Sequence, residues 1–333
     1  MTDLLETARL LVHPGKGILA ADESIASADK RLASYGIETG EEMRRKERDL
    51  FLSCPGIEEY LSGVILYDET LRQKGNDGRP FGEILSSRGI VPGIKVDEGI
   101  EPHPESPDEV ITKGLLGLPE RLEEYRSQFA TGFTKWRAVI RIDGDRLPTT
   151  AVMVENAKRL ASYAVEVQKA GMVPMVEPEV LLEGNHSRMR SRAVLEETLA
   201  TLVEALTNQA IDMSGVILKT AMAISGKESG KTDTPEEVAE DTVGALMKVM
   251  PRGLGGVVFL SGGQSPEQST DNLRAIERVA KAKGAPWPMT FSYSRALQDE
   301  ALRAWGGKDE NVEAAREAYL ARLKSVYKAA KGE

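Results

Sequence analysis

The chain has 333 residues, 41% of them hydrophobic and 29% charged, so it holds ample apolar material for a core, and disorder is expected only at its ends. A formal net charge of -9 argues against a nucleic-acid partner, because affinity for a phosphate backbone needs Lys and Arg in excess. The single cysteine, Cys54, excludes an internal disulfide, and His13, His103 and His186 are too few and scattered for a His-rich metal site.

In chain order, residues 1–17 lack the basic start and long apolar core of a secretory signal and read as a short amphipathic helix. No apolar run approaches the roughly 20 residues of a membrane helix, so no membrane partner is expected. With one cysteine and no targeting segment, the expected location is the cytoplasm. Runs rich in β-branched and other apolar residues then recur at 17–22, 63–69, 93–97, 136–142, 172–180, 214–220, 255–263 and 286–294. Helical periodicity lies between them, as at 151–170 and 194–209, and this alternation is what parallel strands require for their crossovers. Eight such units predict an α/β fold closed as a (β/α)8 TIM barrel. The rival, an open doubly wound sheet, would carry a glycine-rich dinucleotide turn after its first strand, and none is present. Residues 101–109 read as a polar loop and 306–333 as a charged terminal helix, giving one barrel domain over 1–333 with an N-terminal helix and a C-terminal helical extension.

Active sites of such barrels lie at the C-terminal edge of the strands. Asp22, Glu69, Lys95, Glu177, Glu179 and Lys219 fall within or at the end of apolar runs, where an unpaired charge costs several kcal/mol. Strand periodicity puts Glu177 beside Glu179, Lys135 beside Arg137 and Lys95 beside Asp97. Such a mixed cluster suits Schiff-base chemistry, in which one lysine attacks as the neutral amine while its neighbours move protons. Lys219, after the apolar Gly215-Val216-Ile217-Leu218, is the best candidate, since burial and nearby lysines disfavour an ammonium. Ser261-Gly262-Gly263 ends the seventh run and Ser294-Arg295 follows the eighth, where barrels often bind phosphate. Gly226-Lys227-Glu228-Ser229-Gly230-Lys231-Thr232 looks like a nucleotide-binding loop but has three residues between its glycines where the motif needs four, and reads as a solvated loop.

GILAADES at 17–24, GVILYDETL at 63–71, NDGRPF at 76–81, GIKVD at 93–97, KWRAVIRI at 135–142, VPMVEPE at 173–179, ILKTAM at 217–222, FLSGGQS at 259–265, TFSYSRALQ at 290–298 and AWGGK at 304–308 resemble class I fructose-bisphosphate aldolase, in order and over nearly the whole chain. The resemblance implies reversible cleavage of fructose 1,6-bisphosphate to dihydroxyacetone phosphate and glyceraldehyde 3-phosphate through a covalent lysine Schiff base, with no metal or other cofactor. It implies that Lys219 carries the Schiff base, that Glu177 is the principal acid–base residue and that Glu179 assists it. Asp22 would take the hydroxyl proton that starts carbon–carbon cleavage, and Lys135 would stabilise charge beside Glu177. Ser261, Gly262, Gly263, Ser294 and Arg295 would hold one phosphate; Ser24, Ser27, Arg31 and Lys95 would face the other; Arg44 and Arg137 are further candidates for substrate contact. A homo-oligomer, often a tetramer, is also implied.

The sequence departs from the familiar animal pattern at Ile25-Ala26, where Thr-Gly is common, at Thr220-Ala221 in place of Pro-Asn, and at Ser294 in place of glycine. It also ends at Glu333 without the terminal tyrosine tail of the animal enzymes, so proton transfer to the enamine is expected to be slower or to use another group. Two other enzyme readings are a zinc-dependent aldolase, which needs clustered histidines that this chain lacks, and a related Schiff-base barrel acting on another sugar, such as a transaldolase, against which the two proposed phosphate sites favour a bisphosphate substrate. A non-catalytic scaffold is the reading from another class, and Lys219, Glu177 and Asp22 speak against it.

Overall fold

The computed structural model describes residues 4–333. Eight parallel strands close into a barrel: β1 (Gly17–Ala21), β2 (Leu61–Leu66), β3 (Val91–Lys95), β6 (Phe133–Ile140), β7 (Val173–Val180), β8 (Ile217–Thr220), β9 (Gly256–Phe259) and β10 (Met289–Tyr293). β4 (Ile100–His103) and β5 (Ser106–Thr112) form a separate antiparallel pair. Closure is made by β1, which pairs in parallel with both β2 and β10. The strand count agrees with the sequence reading, and the closed order rules out the open sheet.

Alternation along each strand sorts the side chains. Ile18, Ala20, Phe133, Val173, Met175, Ile217 and Val258 share one buried cluster inside the barrel, whereas Leu19, Trp136, Val176, Leu218 and Val257 belong to the larger core beneath the helices. The inner cluster includes Ala8 and Leu11 of the first helix, Leu4–Leu11, which thereby packs with the N-terminal ends of the strands. Phe133 can fill this layer because its neighbour on β3 is Gly93, at which a Cβ would lie 2.3 Å from the ring. With the lower barrel packed by apolar groups, the continuation of the same inward rows at the upper end, Lys135, Glu177 and Lys219, is left to chemistry.

Helices form where the sequence supplies caps. Thr149, Ser187, Thr234 and Ser265 each accept from a first-turn amide at the starts of Thr150–Lys169, Arg188–Asn208, Pro235–Val249 and Pro266–Lys283, and Thr234 with Glu237 completes a capping box. The final helix, Val312–Ala329, packs back on Arg295–Trp305 and Glu41–Leu52, with Tyr319 edge-on to Phe51 at 4.9 Å.

Two sequence readings need correction. Residues 101–109 are not a loop but most of the β4–β5 hairpin; Pro102, Pro104 and Pro107 conceal the strand alternation. The pair is fixed from outside itself: Asn156 Nδ2 donates to Val110 O at 2.9 Å, and buried Glu109 accepts from the Thr149 amide at 3.0 Å. Glu69 is not at a strand end but in the short helix Asp68–Arg72, where it pairs with Arg44.

Candidate active site

A cavity of about 940 Å³ opens at the C-terminal ends of the barrel strands, a size ordinary for a small-molecule site. Asp22 follows β1, Lys95 ends β3, Lys135 and Arg137 lie on β6, Glu177 and Glu179 on β7, and Lys219 on β8; all of them line it. They meet there because inward rows of adjacent parallel strands run side by side, with Lys95 opposite Lys135 and Arg137 opposite Glu177 in the register.

Charges at the cavity floor are buried and mutually compensated. Lys135 is 3% exposed, and its ammonium lies 2.6 Å from Asp22 Oδ2, 3.4 Å from Glu177 Oε2 and 4.0 Å from Asp97 Oδ2. Lys219, 4% exposed, places its Nζ 3.2 Å from Glu177 Oε1. Glu177 thus stands between the two lysines. Burial alone would raise the Asp22 carboxyl, but Lys135, Lys219 and Lys95 outweigh it and hold the group at about 2. Burial works the other way on Lys135, and there Asp22, Glu177 and Asp97 prevail and raise it above the ordinary lysine value. Glu179 accepts a hydrogen bond from Arg137 Nε, which fixes it beside Glu177.

One wall is the turn after β9. Gly262 and Gly263 both have positive φ, 55° and 84°, and the Gln264 amide donates to Ser261 O at 3.0 Å, closing a turn that side-chain-bearing residues would strain. Beside it the helix Arg295–Trp305 begins at Ser294. Ser294 does not cap that helix; its hydroxyl donates to Glu23 Oε1 at 2.6 Å. Diverting the hydroxyl leaves the helix N-terminus, Arg295 and the Ser261-Gly262 turn facing the same cavity, a combination suited to an anion. Across the mouth, Ser24 and Ser27 line the cavity at the start of the helix Ile25–Ser34, their hydroxyls 3.1 Å apart.

Three sequence candidates are not among the lining residues. Arg44 is bound through its guanidinium to Glu69 at 2.7 Å and Asp29 at 2.8 Å. Arg31 pairs with Glu23 at 2.8 Å and Asp299 at 3.0 Å, behind the Ser294 wall. Gly263 follows the lining residue Gly262 without lining the cavity itself. Conversely, sequence reasoning passed over Glu23 and gave Asp97 no role. Asp97 sits 2.6 Å from Lys95 Nζ and accepts from the Arg137 amide at 3.3 Å, tying β3 to β6. Glu23 gathers Arg31, Arg48 and Ser294; burial would raise its carboxyl, but Arg48 and Arg31 lower it. An acid in the Asp22-Glu23 pair following a strand was the available signal.

Among the described residues no group of three or more His, Cys, Asp and Glu side chains is placed to hold a metal ion, and no helix is long and apolar enough to cross a membrane. A barrel that buries a lysine against a carboxylate at the strand ends, with a second lysine beside it and an anion-ready wall, defines a class: lyases that engage a carbonyl through a lysine. Comparison with known proteins carries this further. The family model for fructose-bisphosphate aldolase class-I matches residues 3–333. A probable fructose-bisphosphate aldolase class 1 of Xanthomonas axonopodis pv. citri is 49% identical over 91% of this chain and 89% of its own. Fructose-bisphosphate aldolase of Drosophila melanogaster is 47% identical over 99% and 91%. The solved structure of fructose-bisphosphate aldolase from Plasmodium falciparum superposes with a TM-score of 0.96 at 41% identity, covering 99% of this chain and 94% of that one. The chain belongs to the class I fructose-bisphosphate aldolase family. Enzymes of this family cleave fructose 1,6-bisphosphate through a lysine Schiff base, without a metal.

Proposed function

We propose that this chain cleaves fructose 1,6-bisphosphate reversibly into dihydroxyacetone phosphate and glyceraldehyde 3-phosphate, with Lys219 as the attacking amine. The observation that carries this reading is the buried pair Lys219 Nζ–Glu177 Oε1 at 3.2 Å, on the cavity floor. The amine adds to the ketone carbon, giving a carbinolamine. Glu177 takes the proton that the nitrogen loses on attack and delivers it to the carbinolamine hydroxyl, which leaves as water, and an iminium forms. Asp22 accepts the proton of the hydroxyl two carbons beyond the iminium carbon. The bond between that hydroxyl-bearing carbon and the carbon next to the iminium breaks, the aldehyde departs, and the electron pair moves into the iminium to give an enamine. Protonation and hydrolysis then release the second triose phosphate and restore the amine.

In this reading the Lys135 ammonium bridges Asp22 and Glu177 and holds Asp22 as a carboxylate, and Glu179, held by Arg137, orients Glu177. Ser261, Gly262, Arg295 and the helix N-terminus at Ser294 take one phosphate; Ser24, Ser27 and Lys95 take the other. Arg31 acts behind Ser294 through Glu23. The test is intact-mass analysis after incubation with dihydroxyacetone phosphate and borohydride in the presence of a chelator, then peptide mapping. A stable adduct on Lys219 is expected; a folded protein with no adduct would overturn the mechanism.

The same reading places 1–333 in one barrel domain, supported by the packing of the final helix on the barrel's helical layer. It places the protein in the cytoplasm, as the name of a 46% identical Arabidopsis thaliana relative, fructose-bisphosphate aldolase 6, cytosolic, suggests. It also expects a homo-oligomer, a tetramer by family habit, and sedimentation of the purified protein at micromolar concentration as a monomer would sink that part.

A further inference from the structure

The segment Gly226–Thr232, which reads from sequence as a solvated loop, is not free. Its first residues are zipped to the loop after β7 by backbone hydrogen bonds: Gly226 N to His186 O at 2.8 Å, Lys227 N to Leu182 O at 2.9 Å and Glu228 N to Gly184 O at 2.9 Å. The two backbones approach so closely that a Cβ on Gly226 would lie 2.2 Å from Gly184 O. Lys227 is therefore held in place, at the head of the 3-10 turn Lys227–Ser229, and its side chain is sent back over the turn that follows β9. A Cβ built on Gly263 would sit 2.7 Å from Lys227 Nζ and 3.5 Å from Arg295 Nη2. Two cations, one from a loop and one from the first turn of a helix, thus converge at the Ser261–Gln264 turn.

Neither cation is well paired there. Among the described residues Arg295 has no carboxylate within ion-pair distance, and the Lys227 ammonium reaches only Glu183, at 4.0 Å and largely exposed. Other basic groups at the cavity mouth are committed: Arg137 to Glu179, and Arg72 to Asp68 and Glu124. Two under-compensated cations at one glycine turn in a chain of net charge -9 call for an anion. A sugar phosphate near neutral pH is largely dianionic, and Arg295 alone matches half of that charge.

We propose that Lys227 is a further substrate-binding residue, the second cation for the phosphate held by the turn after β9 and Arg295. The inference rests on the reading of that wall as a phosphate site. It assigns Lys227 no part in the covalent chemistry, so its contribution belongs to binding and is realised equally in ground state and transition state.

The test uses the full-length chain and four variants: K227M, K227R, K227Q and, as the reference for the site itself, R295M. Binding of inorganic phosphate is followed by calorimetry, and cleavage of fructose 1,6-bisphosphate by steady-state kinetics. Loss of one charge-assisted contact predicts that K227M and K227Q weaken phosphate binding and raise KM about tenfold or more, with kcat within about twofold. K227R should restore most of both, and the melting temperatures should agree with that of the parent. A folded K227M with unchanged phosphate affinity, beside an R295M that binds weakly, would overturn the role of Lys227 and leave the site. An R295M that binds phosphate as the parent does would overturn the site reading and the inference with it. A fall in kcat alone, or an equal KM rise in K227R and K227M, would point to loop packing and would also overturn it.

Discussion

K219M is expected to lose cleavage activity by about 10⁵-fold or more in kcat while remaining folded, because no neighbouring group can replace a nucleophile that forms the covalent intermediate. Methionine matches the lysine stem in length. The cost is the cation beside Glu177, and Lys135 at 3.4 Å keeps that carboxylate paired. The stability loss should therefore stay at about 2 kcal/mol or less, well under that for stranding a buried charge. Borohydride trapping separates this from a general collapse of the site: K219M should bind dihydroxyacetone phosphate, yet give no adduct. An adduct appearing on Lys135 or Lys95 instead would move the Schiff-base role to that residue.

Much of this site was legible in the sequence because charge inside an apolar run is hard to place anywhere but a strand end. ILK at 217–219 and VEPE at 176–179 announce their chemistry in that way. What could not be read were contacts made across the sequence. Arg44 was a reasonable candidate for substrate, but the fold brings Glu69 and Asp29 to it from elements 25 and 15 residues away. Asp97 follows β3 and gains its meaning only when Lys135 and the Arg137 amide arrive from β6. The hairpin at 100–112 was hidden by its prolines and held by Asn156 and Thr149, residues on a different helix and its cap. Lys227 is the sharpest case. Its local sequence suggests nothing but a solvated turn, and its position over Gly263 is set by backbone pairing with 182–186, which no periodicity encodes.

Lys135→Met should have the broadest effect of any single change, since one ammonium serves Asp22, Glu177 and Asp97 together. Removing one partner from a buried ion cluster typically costs about 3–5 kcal/mol, because the remaining charges stay desolvated. Loss of activity should be about 10³-fold, from mispositioned carboxylates and the lost electrostatic support. The pH dependence distinguishes this from a simple packing defect. In the parent, Asp22 is held at about 2 against an ordinary 3.8, so its pairing stabilises the fold above about pH 4, and that contribution, about 2 kcal/mol, is lost as pH falls through about 2. Without Lys135 the largest lowering influence is gone and burial dominates, so the Asp22 carboxyl should rise and the acid unfolding transition should shift to higher pH. D22N should partly rescue the fold of K135M by removing the stranded charge, while leaving catalysis impaired, since the proton acceptor is gone as well. Thermal and urea unfolding of the parent, both single variants and D22N/K135M closes that cycle. Strict additivity, with no shift in the acid transition, would mean that the 2.6 Å contact contributes nothing to how Asp22 is held and that Lys135 acts on Glu177 alone.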